Sequence, residues 1–187
     1  MVSDTTLLEN DPVEKARQQW VRTGKPNESG FVVLVSMLRS YSLLIRELEA
    51  ALRPIELTLS RFEVLLLLSF TRNERLPSMR LRDLLMVSGS SATYLIDKLE
   101  AGGLVERESD PSDRRVNVVH LTKAGRAAVE QGVEALSGIG FGSIRGMDEA
   151  GRRALADSLA ALRGARPPRI GEGHVLERAE ENGGVTA

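Results

Sequence analysis

Two apolar-patterned stretches, Ser78–Met86 and Gly89–Ala101, are separated only by Val87 and Ser88. Ser78 opens the first helix, and Ser88 stands where the second needs a side-chain acceptor for its free first-turn N–H groups. Helices joined by so short a link must cross steeply, and the second then projects from the body of its domain. Its inward stripe is Ala92, Leu95, Ile96 and Leu99, at helical spacing. Gly89, Ser90, Ser91, Thr93, Tyr94, Asp97 and Lys98 are left facing outward.

The flanking segments restrict the fold further. Gly102-Gly103 stops the second helix, because glycine tolerates the left-handed conformation past a helix end. The pattern then changes period. Leu104–Ser109 and the β-branched Val116–Leu121 read as strands around Asp110-Pro111-Ser112-Asp113, which has turn chemistry. Together they predict a β-hairpin. Upstream, Thr58 caps a helix filled by Arg61–Phe70, and the polar TRNER that follows reads as a turn. Downstream, Thr122 caps the helix TKAGRAAVEQGVEAL. Segment 58–122 is therefore expected to be a helix-turn-helix followed by a hairpin wing, in a mainly α chain.

The remaining segments flank that unit. Asp11-Pro12 starts a helix that runs to about Val21 and carries the single tryptophan, Trp20. Ser29 is expected to cap a long helix from Gly30 to Leu52, with a wide apolar stripe through Val33, Leu34, Met37, Leu38 and Tyr41. That helix serves either its own core or a core shared with a partner subunit; its length favours the second. A last helix spans Asp148–Arg163 with the stripe Leu155, Leu159, Leu162. GIGFGS at 138–143 has glycine-loop spacing but no preceding strand, so it reads as a flexible joint. Residues 1–10 read as frayed, and 164–187 lack apolar periodicity and are expected to be a disordered tail.

Composition closes several routes. There is no cysteine, and the two histidines, His120 and His174, have no metal-ligand spacing. No catalytic motif, cofactor loop or metal cluster is present, so no enzyme, cofactor or metal is expected. No apolar run approaches ~18 residues, and the acidic, polar start has no secretory pattern, so a cytoplasmic protein with no membrane partner is expected. The net charge is −1, and segment 58–122 carries nine bases and nine acids. A nucleic-acid surface on this chain must come from charge placement rather than net charge.

The outward face of the second helix suits a DNA major groove. The Ser90, Ser91 and Thr93 hydroxyls can donate or accept at base edges, Tyr94 and Lys98 extend the surface, and Ser88 with the helix N-terminus can meet a phosphate. The alternative is a solvated polar face with capping serines. At the hairpin tip, Asp110 and Asp113 can hold Arg114 and Arg115 for a narrow minor groove. The alternative there is an ordinary charged turn. Each reading gains from the other, since helix and tip sit one hairpin apart.

These residues resemble the MarR family of bacterial winged-helix regulators over roughly 30–163, most specifically through LEAGGLVERESDPSDRRVNVVHLTKAGR at 99–126. Of the family's wing pattern Asp-x-Arg-Asp-x-Arg, Asp110, Asp113 and Arg115 match, while Ser112 replaces the middle arginine. The turn LLMVSGSSAT at 84–93 is also similar. The resemblance implies a homodimer with interleaved terminal helices, assigning 1–29 to an N-terminal extension and 30–57 with 123–163 to dimerisation. It implies a pseudo-palindromic duplex DNA target, repression, and relief by a small ligand. A winged helix used for protein–protein contact without DNA is the alternative. Trp20 and Glu63 are similar to ligand-contacting positions of urate-responsive members, but that group's recognition-helix arginine is Leu95 here. A packing role for Trp20, clamping the extension onto the dimer, is the competing expectation.

If the tip arginine enters the minor groove, Arg115→Ala lowers affinity for operator DNA by about 1–3 kcal/mol. Fluorescence anisotropy on a labelled duplex reads this directly, and unchanged affinity would place the tip off the DNA.

Overall fold

The computed structural model describes residues 11–109 and 116–164. The expected wing-tip residues Asp110, Asp113, Arg114 and Arg115, the N-terminal decapeptide and the C-terminal tail lie outside the described residues. Helix α1 (Pro12–Arg22) leads into α2 (Glu28–Leu52), a 3-10 turn (Arg53–Ile55) and α3 (Leu59–Ser69). Strand β1 (Arg75–Pro77), helices α4 (Ser78–Leu85) and α5 (Gly89–Ala101), and strands β2 (Val105–Ser109) and β3 (Asn117–Leu121) follow. Helix α6 (Lys123–Gly138), a 3-10 turn (Gly142–Gly146) and α7 (Glu149–Leu162) complete it. The fold is mainly helical with a small antiparallel wing.

One apolar core joins the winged unit to the flanking helices. Phe62, Val64, Leu65 and Leu68 of α3 are all buried, so neighbours cover this helix on several sides. Leu52 of α2, Leu81 of α4, Ile96 and Leu99 of α5, Val105 and Val119 of the sheet, and Val129 and Leu136 of α6 belong to the same cluster. Each fully buried Leu, Ile or Phe contributes about 1.5–3 kcal/mol. The LLLL run of α3 is thus helical, and neighbours on several sides satisfy its apolar content.

The sheet has order β1-β3-β2, with both pairs antiparallel. Strand β1 replaces the end of the expected polar turn. Arg75-Leu76-Pro77 lacks strand-forming alternation; it is ordered by pairing with 118–120 of β3 and by Thr71 Oγ1, which accepts from the Arg75 N–H at 2.9 Å. Pro77 is tolerated because β1 is an edge strand.

The local chain chemistry differs from expectation at three other places. Asn27, not Ser29, caps α2: it adopts φ 55°, and its side chain accepts from the Gly30 N–H, so the helix begins at Glu28. The α4–α5 link is Met86, Val87 and Ser88, with Met86 in the left-handed region at φ 55°. A methionine there is strained by roughly 1–2 kcal/mol relative to right-handed backbone. Finally, the glycine-rich joint is built rather than loose. The Ser143 N–H and Oγ both donate to the Glu47 carboxylate of α2, at 2.6 and 2.7 Å, and the last turn before α7 is 3-10 helix.

Two glycines of α6 allow close approach. Thr122 caps the helix by accepting from the Gly125 N–H at 3.0 Å. A Cβ at Gly125 would overlap the Leu104 carbonyl at the base of the wing. One at Gly132 would enter the ring of Phe62, which is only 3% exposed and cannot swing away. Helix propensity alone would make Gly132→Ala stabilising by about 1 kcal/mol. The overlap reverses that sign, and a net loss of about 1–3 kcal/mol is expected from urea unfolding midpoints.

Candidate nucleic-acid interface

Helix α5 stands on the surface because α4 ends abruptly. The Met86 N–H closes back on the Arg82 and Asp83 carbonyls, and Ser88 returns to extended backbone at ψ 157°. Ala92, Ile96 and Leu99 anchor the inner face in the core, while Leu95 is half-buried. Ser88, Ser90, Ser91, Thr93, Tyr94 and Lys98 are all exposed.

Three of these form a hydroxyl cluster at the helix N-terminus. Ser88 Oγ accepts from the Ser91 N–H at 3.1 Å and lies 3.0 and 2.8 Å from the Ser90 and Ser91 hydroxyls. Thr93 Oγ1 donates to the Gly89 carbonyl at 2.9 Å, which leaves its methyl and remaining lone pair outward. Tyr94 is 61% exposed, and Lys98 Nζ lies 5.6 Å from its ring centroid. The lysine is therefore steered across the tyrosine face rather than away from the helix.

An open cleft of about 450 Å³ runs beside this face, lined by Ser60, Val87, Ser90, Ser91, Tyr94 and Leu95. Ser60 belongs to the first turn of α3 and was invisible to sequence reasoning. Only the folding of α3 beneath α5 places its hydroxyl beside the serine cluster.

The wing is tied to this helix at its base. Arg107 of β2 pairs with Asp97 and, at 3.5 Å, with Glu100, both on α5. On the far side of β2, Glu108 lies 3.2 Å from His120 Nε2 of β3. Arg126 of α6 reaches Glu74 beside β1 at 2.7 Å.

Trp20 and Glu63 are not brought together within one chain. Trp20 stacks on Phe31 of α2 with centroids 4.0 Å apart and planes at 11°, and its Nε1–H donates to the Pro26 carbonyl at 3.0 Å. Glu63 lies near the start of α3, which meets α2 at the other end: the Leu59 N–H donates to Glu49 at 2.8 Å. Phe31 and Glu49 are separated by about 27 Å along the helix axis at 1.5 Å per residue. Partial desolvation pushes the Glu63 carboxyl above its ordinary range. Trp20 packs the extension onto its own α2, and Arg17 reinforces that hairpin by bridging Glu14 and Glu28.

Residues 56–116 match the family model described as MarR family. A structure of a MarR family transcriptional regulator from Streptomyces coelicolor, Sco5413, is 29% identical with a TM-score of 0.68, covering 73% of this chain and 94% of that one. The winged helix-turn-helix of this chain has the MarR-like fold. A second similar structure is a mutant MarR from Escherichia coli complexed with operator DNA; it is 25% identical with a TM-score of 0.60, covering 69% of this chain and 90% of that one. Among curated relatives, the uncharacterized HTH-type transcriptional regulator YkoM of Bacillus subtilis is 48% identical over 48 residues, 26% of this chain and 30% of its own length. The chain spans between 30% and 66% of the length of the curated relatives it matches.

In this MarR-like fold, α4 and α5 are the helix-turn-helix and β2–β3 the wing. Ser88 is the residue on which the start of α5 depends most directly. Ser88→Ala removes the cap and is expected to cost about 1 kcal/mol of stability. Chemical unfolding measures it; an unchanged midpoint would mean that the other hydroxyls cap the helix equally well.

Proposed function

We propose that this chain is a homodimeric, sequence-specific DNA-binding transcription regulator, a repressor relieved by a small ligand. The observation that carries the reading is the exposed outer face of α5, with Ser90, Ser91, Tyr94 and Lys98 presented on a helix anchored by Ala92, Ile96 and Leu99. That face lies on a fold shared with a MarR solved in complex with operator DNA. Serine hydroxyls and a tyrosine are modest base readers, so specificity draws also on the wing-tip arginines and on DNA shape.

Dimerisation is supported by uncovered apolar surface at the ends of the chain. Val33, Leu34, Leu38 and Tyr41 of α2 are 55–66% exposed, and Leu155 and Leu162 of α7 are 43% and 63% exposed. A stripe of this kind on two helices fits a second copy related by a two-fold axis, which would set two recognition helices on successive half-sites roughly 34–36 Å apart. Ligand control is supported by an open cleft of about 430 Å³ between the end of α2 and the start of α3, lined by Glu49, Arg53, Glu56, Leu57, Thr58 and Arg61. A charged small molecule there would compete for Glu49, whose carboxylate receives the Leu59 N–H and so holds α3 to α2.

The purified protein is expected to prefer the DNA flanking its own gene over random duplex, with affinity falling steeply as salt rises. Ser90→Ala and Tyr94→Ala are expected to change the preferred sequence rather than the salt slope. Equal affinity for specific and random DNA would point instead to a winged helix used for protein contact.

A further inference from the structure

Strand β2 carries a charge where its alternation calls for an apolar residue. Val105 is buried, Glu106 is exposed, and Arg107 returns to the inner side at intermediate burial. Its cross-strand partner is Val119, fully buried, so Arg107 lies on the sheet face turned toward the core and not on the solvent face. An arginine there must find an opposite charge or leave a half-buried cation unpaired. It finds two. Asp97 and Glu100, one helical turn apart on α5, both meet its guanidinium. Three charged side chains from two elements, Asp97 and Glu100 of α5 and Arg107 of β2, thus converge at the junction between recognition helix and wing.

We propose that Arg107 is a positioning residue for DNA binding, fixing the hairpin to the recognition helix as one body through Asp97 and Glu100. The inference rests on the DNA-binding reading above. Two properties of the geometry support it. A planar guanidinium spanning two carboxylates at i and i+3 resists both sliding and rotation of the strand across the helix, which a single point contact does not. The pairing also engages the carboxylates at 97 and 100, on the same helix as the DNA-facing Tyr94 and Lys98. Left unpaired, they would repel a phosphate backbone. The apolar anchors of the hairpin are Val105 at the base of β2 and Val118, Val119 and Leu121 on β3. Beyond Val105, β2 has no buried side chain, so the guanidinium bridge is what ties the outer part of that strand to α5.

The test uses the full-length protein and a fluorescein-labelled duplex of the DNA flanking its own gene, with a shuffled duplex as competitor. Arg107→Ala is expected to weaken binding to the labelled duplex about ten-fold, and Asp97→Asn with Glu100→Gln to weaken it by a similar factor from the helix side. The triple variant is expected to be no weaker than Arg107→Ala alone, because the arginine acts through those carboxylates. Hydrogen exchange in the DNA-free protein provides a second readout: amides 105–109 and 117–121 are expected to exchange faster in both variants. Additive losses in the triple variant would mean that Arg107 touches DNA by itself and would overturn the proposal. So would hairpin exchange identical to wild type in either variant. If the wild-type protein fails to distinguish the two duplexes, the DNA-binding reading falls, while exchange still judges the clamp. Should Arg107→Ala fold poorly, the two exposed carboxylate substitutions carry the exchange test.

Discussion

Burial of α3 from several sides is the constraint on which the rest of the molecule depends. A helix carrying Phe62, Val64, Leu65 and Leu68, all buried, cannot sit at the surface of a two-layer domain. It must be enclosed. The flanking helices α2 and α6 cover it through Leu52, Val129 and Leu136, and the winged unit covers it through Leu81, Ile96, Leu99 and Val119. Because interiors pack at crystal-like density, a shift of α2 or α6 cannot be absorbed locally and is passed to α5. Gly132 tightens this link by admitting the Phe62 ring against the α6 backbone.

Polar contacts convert that shared core into defined angles. Glu49 caps α3 from α2, Glu47 seizes Ser143 ahead of α7, and Thr122 Oγ1 donates to the Gly103 carbonyl at 2.8 Å while capping α6. Each contact joins one element's end to another element's side chain or backbone. Exposed pairs of this kind contribute little to stability individually. Their effect is orientational: they select one arrangement among those that the apolar core would tolerate almost equally.

The balance of nine bases and nine acids in segment 58–122 has a structural counterpart. Asp97, Glu100 and Glu108 each face a cationic or titratable partner within the winged unit, and Glu74 pairs with Arg126 of the flanking helix α6. Acids that look unfavourable for a DNA-binding surface in a bare count are thus engaged in internal pairs. Lys98 is steered by Tyr94 instead of by a carboxylate. Net charge therefore carries no information about this surface, whereas charge pairing does.

The sequence by itself determined the elements whose cause is local. Ser88, Thr58 and Thr122 cap the helices they precede, Gly103 takes the left-handed turn at φ 68°, and the Ala92, Ile96, Leu99 stripe is buried as its spacing requires. Those are interactions among residues a few positions apart, so a linear pattern records them. Tertiary structure alone decided the rest. Strand β1 exists because β3 offers a free edge, Asn27 caps α2 through a backbone angle that composition does not reveal, and residues 139–146 are ordered by a carboxylate 96 residues away. Ser60 lines the same cleft as Ser90 and Ser91, and Arg107 meets Asp97 and Glu100, only once α3, α5 and β2 share a core. Hydrogen bonds and ion pairs between distant segments depend on where packing places the backbone, and no periodicity in the chain encodes that placement.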